Sequence, residues 1–206
     1  MKKTLSNARS RGAHHHATDM DLLANPLEFL EEDHLRTRTV CATLDRIADR
    51  ETPTREDVFE ALTYLENELP LFIVDEDADL ARLMRRHLGE DPTLFEILRR
   101  VTELHQEIAF RSRPVIDLLC ILSGQLRCLK YSEQACLRDL ATILRVDMAL
   151  ENSRLLPLAN QLLTADELSE LRSAMFQRRL TDFRDHSATG SQRNSQRSEV
   201  RHDSSS

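Results

Sequence analysis

Apolar residues recur every three or four positions along four long segments of this chain, which is the pattern of helices that bury one face. The composition supports this interpretation, because the 206 residues include only four Gly, six Pro and no Trp. We therefore predict an all-α fold, an up-down-up-down four-helix bundle followed by a fifth C-terminal helix. The length is sufficient for one such domain with a tail at each end.

The bundle is predicted over residues 25–185, between two segments that lack a core-forming pattern. Residues 1–24 are polar and basic, contain the tract His14-His15-His16, and are predicted to be a disordered arm. Residues 186–206 are rich in Ser, Arg, Asn and Gln, and are predicted to be a disordered tail. The folded part is therefore expected to be a single domain.

Capping residues and prolines indicate where the helices begin and end. The predicted helices begin near Pro26, Thr54, Pro92, Ser132 and Thr164, and the first, second and fifth end near Asp49, Leu88 and Arg184. Thr164-Ala165-Asp166-Glu167 forms a capping box at the start of the fifth helix. Three prolines fall inside the helical pattern and are expected to kink or break it, at Pro70, Pro114 and Pro157.

Each of the four apolar stripes carries one polar residue where the pattern requires an apolar one. The four residues are His34, Glu76, His105 and Glu151, and Asp147 lies one turn before Glu151 on the same face. Because burying an unpaired carboxylate costs several kcal/mol, each carboxylate needs a proton, an Arg or a metal ion as its partner. Taken one by one, an inward His more often bonds a backbone carbonyl, and an inward Glu more often pairs with an Arg.

The distances of these four residues from the end of the bundle favour one shared metal site over a separate partner for each residue. If the helices alternate in direction, all four residues lie roughly 12–20 Å from the same end of the bundle, at 1.5 Å per residue. Two imidazoles and two or three carboxylates at one level suit iron, manganese or zinc. Carboxylate-bridged pairs of metal ions are built in bundles on this plan.

Other features narrow the classes of function. The net charge of −7 argues against nucleic-acid binding, and no apolar run approaches the roughly 20 residues of a membrane span. No signal peptide is predicted after Met1-Lys2-Lys3, so the expected location is the cytoplasm. The chain has no nucleophile triad, Gly-rich phosphate loop or CxxC zinc pattern, so no enzymatic activity is predicted. Four cysteines are predicted to be small buried residues in a reducing compartment, with redox sensing as the alternative: Cys41, Cys120, Cys128 and Cys136.

Several of these residues occur in segments that resemble a known family. The segments are Pro26-Leu27-Glu28-Phe29-Leu30-Glu31-Glu32-Asp33-His34, Glu68-Leu69-Pro70-Leu71 leading to Asp75-Glu76-Asp77, Leu104-His105, and Leu150-Glu151-Asn152 with Leu155-Leu156-Pro157-Leu158-Ala159. With them, residues 26–180 resemble the hemerythrin-like (HHE cation-binding) domains, especially their alphaproteobacterial branch. The resemblance implies a bundle that binds non-haem iron, as one ion or as a diiron pair, with Mn or Zn as alternatives.

The family's diiron pattern implies one His on the first helix, His-x-x-x-Glu on the second, His-x-x-x-His on the third and His-x-x-x-Asp/Glu on the fourth. The residues of this pattern that the chain keeps are His34, Glu76, His105 and Glu151. Asp147 replaces the fourth-helix His and can still bind a metal ion. Phe72 stands in place of the second-helix His and Ala109 in place of the second His on the third helix, and neither can bind one.

On this basis we expect a metal-binding protein that serves oxygen, redox or stress sensing, or metal handling. Its ligand set has few imidazoles and favours oxidised metal, so O₂ or another small diatomic molecule or oxidant would act as a signal and would not be carried reversibly. The alternative is a metal-free, degenerate bundle that acts as a regulatory or interaction module, in which Phe72 and Ala109 repair the core. A ferritin-like oxidase is least favoured, because Glu103-Leu104-His105 and Glu151-Asn152-Ser153-Arg154 miss the Glu-x-x-His spacing.

Overall fold

The structure is a computed structural model that describes residues 17–89 and 92–181. These residues form helices joined by short connections, and no strand occurs among them. The long helices are α1 (Pro26–Asp49), α2 (55–85), α3 (Pro92–Gly124), α4 (131–162) and α5 (165–181). The predicted all-α fold is therefore confirmed.

Local side-chain capping fixes the starts of the helices, as the sequence indicates. The Thr54 hydroxyl accepts a hydrogen bond of 3.2 Å from the Asp57 N–H at the start of α2. Before α5, Thr164 and Glu167 form reciprocal bonds of 3.0 and 3.3 Å between their side chains and backbone N–H groups. After α2, Gly89 has a φ of 46°, the left-handed conformation that favours glycine beyond a helix end.

Helices α1 to α4 form an antiparallel ring in which each packs on the next and α4 closes against α1. Ion pairs between helix ends reveal the alternation. Arg46 near the end of α1 lies 2.9 Å from Asp57 at the start of α2. Arg138 near the start of α4 lies 2.7 Å from Asp49 at the end of α1. The up-down-up-down bundle is confirmed.

Helices α2 and α4 contain π-helical turns, in which an N–H bonds to the carbonyl five residues earlier. The turns are Tyr64–Glu68 and Asp75–Leu80 in α2, and Glu151–Leu155 in α4. Two of them end just before Pro70 and Pro157, which lack an N–H and clash with the carbonyl of an ordinary preceding turn. Both helices therefore continue through their prolines, because a widened turn accommodates each ring.

Pro114 also lies within a helix without ending it. Helix α3 continues for 33 residues with this proline in its interior. Pro114 lies on the exposed face of α3, where water can satisfy the carbonyl of Phe110 that has lost its N–H partner. The break that the sequence suggested at this position is absent.

Helix α5 packs antiparallel to α2. Near the start of α5, Glu170 lies 2.8 Å from Arg82 on the last turn of α2 and 2.9 Å from Arg86, the residue that follows α2. Near the end of α5, Arg178 pairs with Asp79, which lies earlier in α2. These contacts at both ends fix the direction of the fifth helix against the bundle.

The contact at the end of α5 is buried. Arg179 Nη2 lies 2.6 Å from Asp75 Oδ2, and the guanidinium lies over the Phe29 ring of α1, 4.5 Å from its centroid. Burial raises the pKa of Asp75, although the guanidinium groups of Arg179 and Arg178 oppose this effect. Helix α5 is therefore held to α1 and α2 by contacts of Arg179, and its partner in α2 is Asp75, the residue directly before Glu76.

Part of the predicted N-terminal arm is ordered. Residues Met20–Ala24 form a short 3-10 helix capped by Asp19, and Leu23 is buried in the core. The structure differs here from the prediction of a disordered arm, because Leu23 finds apolar contacts on the bundle. The tract His14-His15-His16 and the predicted tail 186–206 lie outside the described residues.

The cysteines differ in exposure. Cys41 is buried within α1, whereas Cys120, Cys128 and Cys136 are exposed. The prediction of buried cysteines is therefore wrong for three of the four, since Cys128 lies in the connection after α3 and the other two lie on outer helix faces. Among the helices in 17–89 and 92–181, none has both the length and the apolar composition needed to cross a membrane.

Candidate metal centre

The five polar residues selected from the sequence lie together in the core of the bundle. His34 comes from α1, Glu76 from α2, His105 from α3, and Asp147 and Glu151 from α4. Each of them exposes 2% of its surface or less. The antiparallel arrangement thus brings all five to one height between the four helices.

Each of the two glutamates faces both imidazoles. Glu76 Oε1 lies 3.5 Å from His34 Nε2, and its Oε2 lies 3.3 Å from His105 Nε2. Glu151 Oε2 lies 3.1 Å from His34 Nε2, and its Oε1 lies 3.3 Å from His105 Nε2. Asp147 Oδ2 adds a carboxylate 3.5 Å from His105 Nε2. The centre therefore has two halves that share both glutamates, the His34 position and the His105 position, and only the latter includes Asp147.

Both shared glutamates lie in π-helical turns. The carbonyl of Glu76 accepts the N–H of Ala81, and the carbonyl of Glu151 accepts the N–H of Leu156, each five residues later. A widened turn contains an additional residue and so changes which side chains face inward, and such turns are frequent at functional sites. The same local feature thus positions the two carboxylates on opposite sides of the centre.

Two further residues orient the imidazoles. His34 Nδ1 lies 2.8 Å from Asn152 Oδ1, and His105 Nδ1 lies 3.0 Å from Asp77 Oδ1. With the proton on Nδ1, each ring presents an unprotonated Nε2 to the centre, as a metal-binding imidazole requires. Asn152 and Asp77 are not among the site residues predicted from the sequence. The available signal was their position, because each directly follows one of the shared glutamates.

The unpaired atoms of the centre fit a metal site. Within the described residues, eight of its buried atoms make no aligned hydrogen bond, namely Nε2 of both imidazoles, all four oxygens of Glu76 and Glu151, Oδ1 of Asp147, and Nδ1 of His105, whose contact with Asp77 is an ion pair. Leaving one such group unsatisfied costs about 1–3 kcal/mol, so a cluster of them needs an explanation. Donor atoms about 2.1 Å from a shared ion, at angles of about 90–110°, lie about 3.0–3.4 Å apart. The contacts of 3.1–3.5 Å have this size, and the donor types suit iron, manganese or zinc.

The electrostatics of the centre also require a compensating charge. Burial and the charge of Glu151 raise the pKa of Glu76 to about 8, and burial raises the pKa of Asp147 to about 6. Burial disfavours an imidazolium, yet the carboxylates outweigh it and raise the pKa of His34 and His105 above the ordinary value. In the metal-free protein Glu76, Asp147 and the two imidazoles therefore hold protons more tightly than usual, and divalent ions would supply the same compensation.

The positions at which the chain departs from the family pattern have different surroundings. Phe72 is buried and packs edge-on against His34, with the ring centroids 5.4 Å apart. Ala109 is exposed, whereas its neighbour Ile108 is fully buried. The expectation that Ala109 repairs the core is therefore wrong, because this position of α3 faces outward. Asp147 lies at the centre, where it can replace the imidazole of the pattern.

The chain was compared with known proteins. The family described as Hemerythrin HHE cation binding domain matches residues 25–159, which include all five residues of the centre. No curated protein and no solved structure matches the chain. The family match spans well over half of the sequence and coincides with α1, α2, α3 and most of α4. The chain therefore belongs to the hemerythrin HHE cation-binding family.

Proposed function

We propose that this protein binds a pair of divalent metal ions, non-haem iron before manganese or zinc, and that it serves oxygen, redox or stress sensing or metal handling. One observation carries the proposal: Glu76 and Glu151 each direct one oxygen towards His34 and the other towards His105. A carboxylate placed in this way can bridge two ions, as in other bundles with paired metals. The family assignment supports the cation-binding part of the proposal.

Each residue of the centre has a distinct part in this proposal. His34 and His105 would be terminal ligands, Glu76 and Glu151 would bridge the ions, and Asp147 would complete the His105 position. Bound iron would supply the one-electron redox chemistry that a sensor of O₂ or of an oxidant requires. The chain itself contributes the orientation of the imidazoles and a core that keeps the centre away from bulk water.

Reversible O₂ transport and enzymatic turnover are not part of the proposal. The described centre has two imidazoles and three carboxylates. Carboxylates are hard, anionic ligands that stabilise the oxidised state of iron relative to the reduced state. A reduced centre would therefore be consumed by O₂, which suits a signal better than a carrier.

Reconstitution tests the metal-binding part of the proposal. Metal-free protein is loaded with Fe(II) without air and then exposed to air, and its iron content and visible absorption are recorded. We expect two irons per chain and, after exposure to air, the charge-transfer absorption of an oxo-bridged iron pair. Glu103→Gln is a matched control, because Glu103 is partly exposed and pairs with Arg99 and Arg100 on the surface of α3. Failure to retain any divalent metal would contradict the proposal.

A metal-free bundle that acts as a regulatory or interaction module is the second candidate. The observation that favours it is Phe72, whose apolar ring covers one side of His34 where the family pattern has a ligand. Under this alternative a chelator leaves the melting temperature unchanged. A decrease of more than about 5 °C on chelation, on the order of 1 kcal/mol, would favour the metal-binding candidate.

A further inference from the structure

The two halves of the centre do not offer equal numbers of ligands. At the His105 position, His105, Glu151 and Asp147 each bring one donor atom within 4.8 Å of the other two, and Glu76 Oε2 is a fourth donor 3.3 Å from His105 Nε2. The His34 position has three, from His34, Glu76 and Glu151. Since the glutamates are shared, Asp147 is the difference between the two halves. It adds one ligand and one negative charge to the His105 position alone.

The residues behind the imidazoles increase this difference. His105 Nδ1 lies 3.0 Å from the Asp77 carboxylate, whereas His34 Nδ1 lies 2.8 Å from the neutral amide oxygen of Asn152. A carboxylate partner makes an imidazole a more basic ligand than a neutral partner does. The negative charge of Asp77 also attracts a divalent ion bound at His105. Both effects raise the metal affinity of the His105 position above that of the His34 position.

Among residues 17–89 and 92–181, no further ligand at the His34 position compensates for this difference. The Phe72 ring packs edge-on against the His34 imidazole, with the ring centroids 5.4 Å apart, and Phe72 itself is buried. An aromatic ring gives no donor atom to a metal ion. An ion at the His34 position would therefore depend on one imidazole and on two carboxylates that it shares with the other half.

We propose that the two positions fill in order, with the His105 position taking the first divalent ion and the His34 position taking the second at a higher metal concentration. This inference rests on the proposed function, since it presupposes that the centre binds metal. The first ion also withdraws charge from the shared Glu76 and Glu151, which weakens their attraction for the second ion. The centre would thus hold one ion when metal is scarce and two when it is abundant.

Titration with Mn(II), followed by electron paramagnetic resonance, separates the two steps. Metal-free full-length protein receives Mn(II) in substoichiometric increments, and bound metal is counted after removal of free ions. Isolated and paired Mn(II) ions have different spectra, because two ions that share carboxylates are magnetically coupled. We expect the signal of isolated bound ions up to one equivalent, and the coupled signal only as a second equivalent binds.

Two variants assign the steps to the two positions. Asp147→Asn removes the charge but keeps the size of the side chain, and it should weaken the first step by about tenfold or more. Phe72→His supplies a fourth donor to the His34 position, and it should strengthen the second step and leave the first unchanged. The melting temperature of the metal-free variants controls for loss of folding. The Phe72 variant keeps the assignment testable if the Asp147 variant does not fold.

The possible results are distinguishable. A coupled signal from the first increments, or a first step unaffected by Asp147→Asn in the folded protein, would overturn the ordered filling while leaving metal binding intact. A second step that Phe72→His does not strengthen would also count against the assignment. Wild-type protein that binds no Mn(II), iron or zinc would overturn both this inference and the proposed function.

Discussion

Asn152 Oδ1 lies 2.8 Å from His34 Nδ1, although the two residues are 118 positions apart. The contact joins α4 to α1 across the centre and fixes which ring nitrogen of His34 faces the two glutamates. Asp77 makes the corresponding contact to His105 from α2, at 3.0 Å. The orientation of each imidazole is therefore set by the residue that directly follows Glu76 or Glu151, so one helical turn supplies both a candidate ligand and an orienting residue.

Replacing Asn152 by Ala should weaken metal binding without abolishing it. Loss of an orienting partner frees the His34 ring, and such changes lower metal affinity by about 10–100-fold. The measurement is competition for Fe(II) or Mn(II) against a chelator of known affinity. Asn160→Ala on the exposed surface of α4 is the matched control and should behave like the wild type. Equal affinity of the Asn152 variant and the wild type would refute the orienting role.

Replacing Glu151 by Gln should remove most of the bound metal, because this side chain faces both imidazoles and is fully buried. The amide has nearly the same size but no charge, so the loss reports on ligation and not on packing. Elemental analysis after reconstitution is the measurement, and Glu103→Gln is the surface control. A variant that still retains two ions per chain would show that Glu151 does not bridge them.

The metal-free protein should be more stable near pH 5 than near pH 8. Burial raises the pKa of Glu76 to about 8 and of Asp33 to about 7, and the carboxylates raise the pKa of both imidazoles despite burial. A group whose pKa is raised on folding binds protons more tightly in the folded state. The contribution of such a group to the free energy of unfolding is therefore complete below its unfolded-state pKa and is lost as pH rises through its folded-state pKa.

Urea unfolding in the presence of a chelator, at several pH values between 5 and 8, measures this dependence. The pKa of Glu151 is lowered to about 2, since the imidazoles of His105 and His34 outweigh burial, so its contribution changes below this range. Metal-loaded protein should respond less to pH, because ions replace the protons. An unfolding midpoint that rises from pH 5 to pH 8 in the metal-free protein would contradict the expected sign.

Arg179→Met should destabilise the fold by about 2 kcal/mol, because it removes a charged hydrogen bond to the buried carboxylate of Asp75. Methionine keeps an apolar stem over the Phe29 ring. Arg82→Met is the control, since the pair of Arg82 with Glu170 is more than a third exposed and should contribute less than about 1 kcal/mol. Urea unfolding at one pH compares the two variants. Equal effects would mean that the buried end of α5 is no better fixed than its exposed end.

Thiol labelling should distinguish the cysteines. Cys120, Cys128 and Cys136 are exposed and should react in the folded protein. Cys41 is fully buried, and burial raises the pKa of its thiol to about 12, so it should react only on unfolding. Mass spectrometry of protein labelled with and without denaturant gives the number of reacted thiols. Rapid reaction of a fourth thiol without denaturant would show that α1 opens locally.

The sequence predicts the fold well wherever the helices are regular. Helix α1 runs from Pro26 to Asp49 as its apolar spacing and its proline indicate, and the capping boxes at Thr54 and Thr164 begin helices. The inward side chains follow because a helix with one apolar face must turn that face to the core. The five residues of the centre stand out because they are polar residues on these apolar faces. A carboxylate or an imidazole is buried at such a position only when it has a partner.

Regular spacing fails where a contact or a widened turn decides the geometry. Ala109, four residues after His105, is exposed, while Ile108 faces the core in its place. The roles of Asn152 and Asp77 depend on contacts between distant helices, which no local pattern encodes. Pro70 and Pro157 signal a disturbance of the helix, but they do not tell whether it ends, kinks or widens.

Each π-helical turn carries one residue more than an α-helix of the same length, and this has a consequence for how members of the family are aligned. Deleting one residue from Tyr64–Glu68 would return that turn to α-helical geometry, and because a widened turn absorbs its additional residue, the rest of α2 would keep its orientation. Glu76 would then stay in the interior although α2 had become one residue shorter. Two related chains can therefore present the same side chains from α2 while their sequences differ in length by one residue, and an alignment without a gap at this turn would pair Glu76 with the wrong residue.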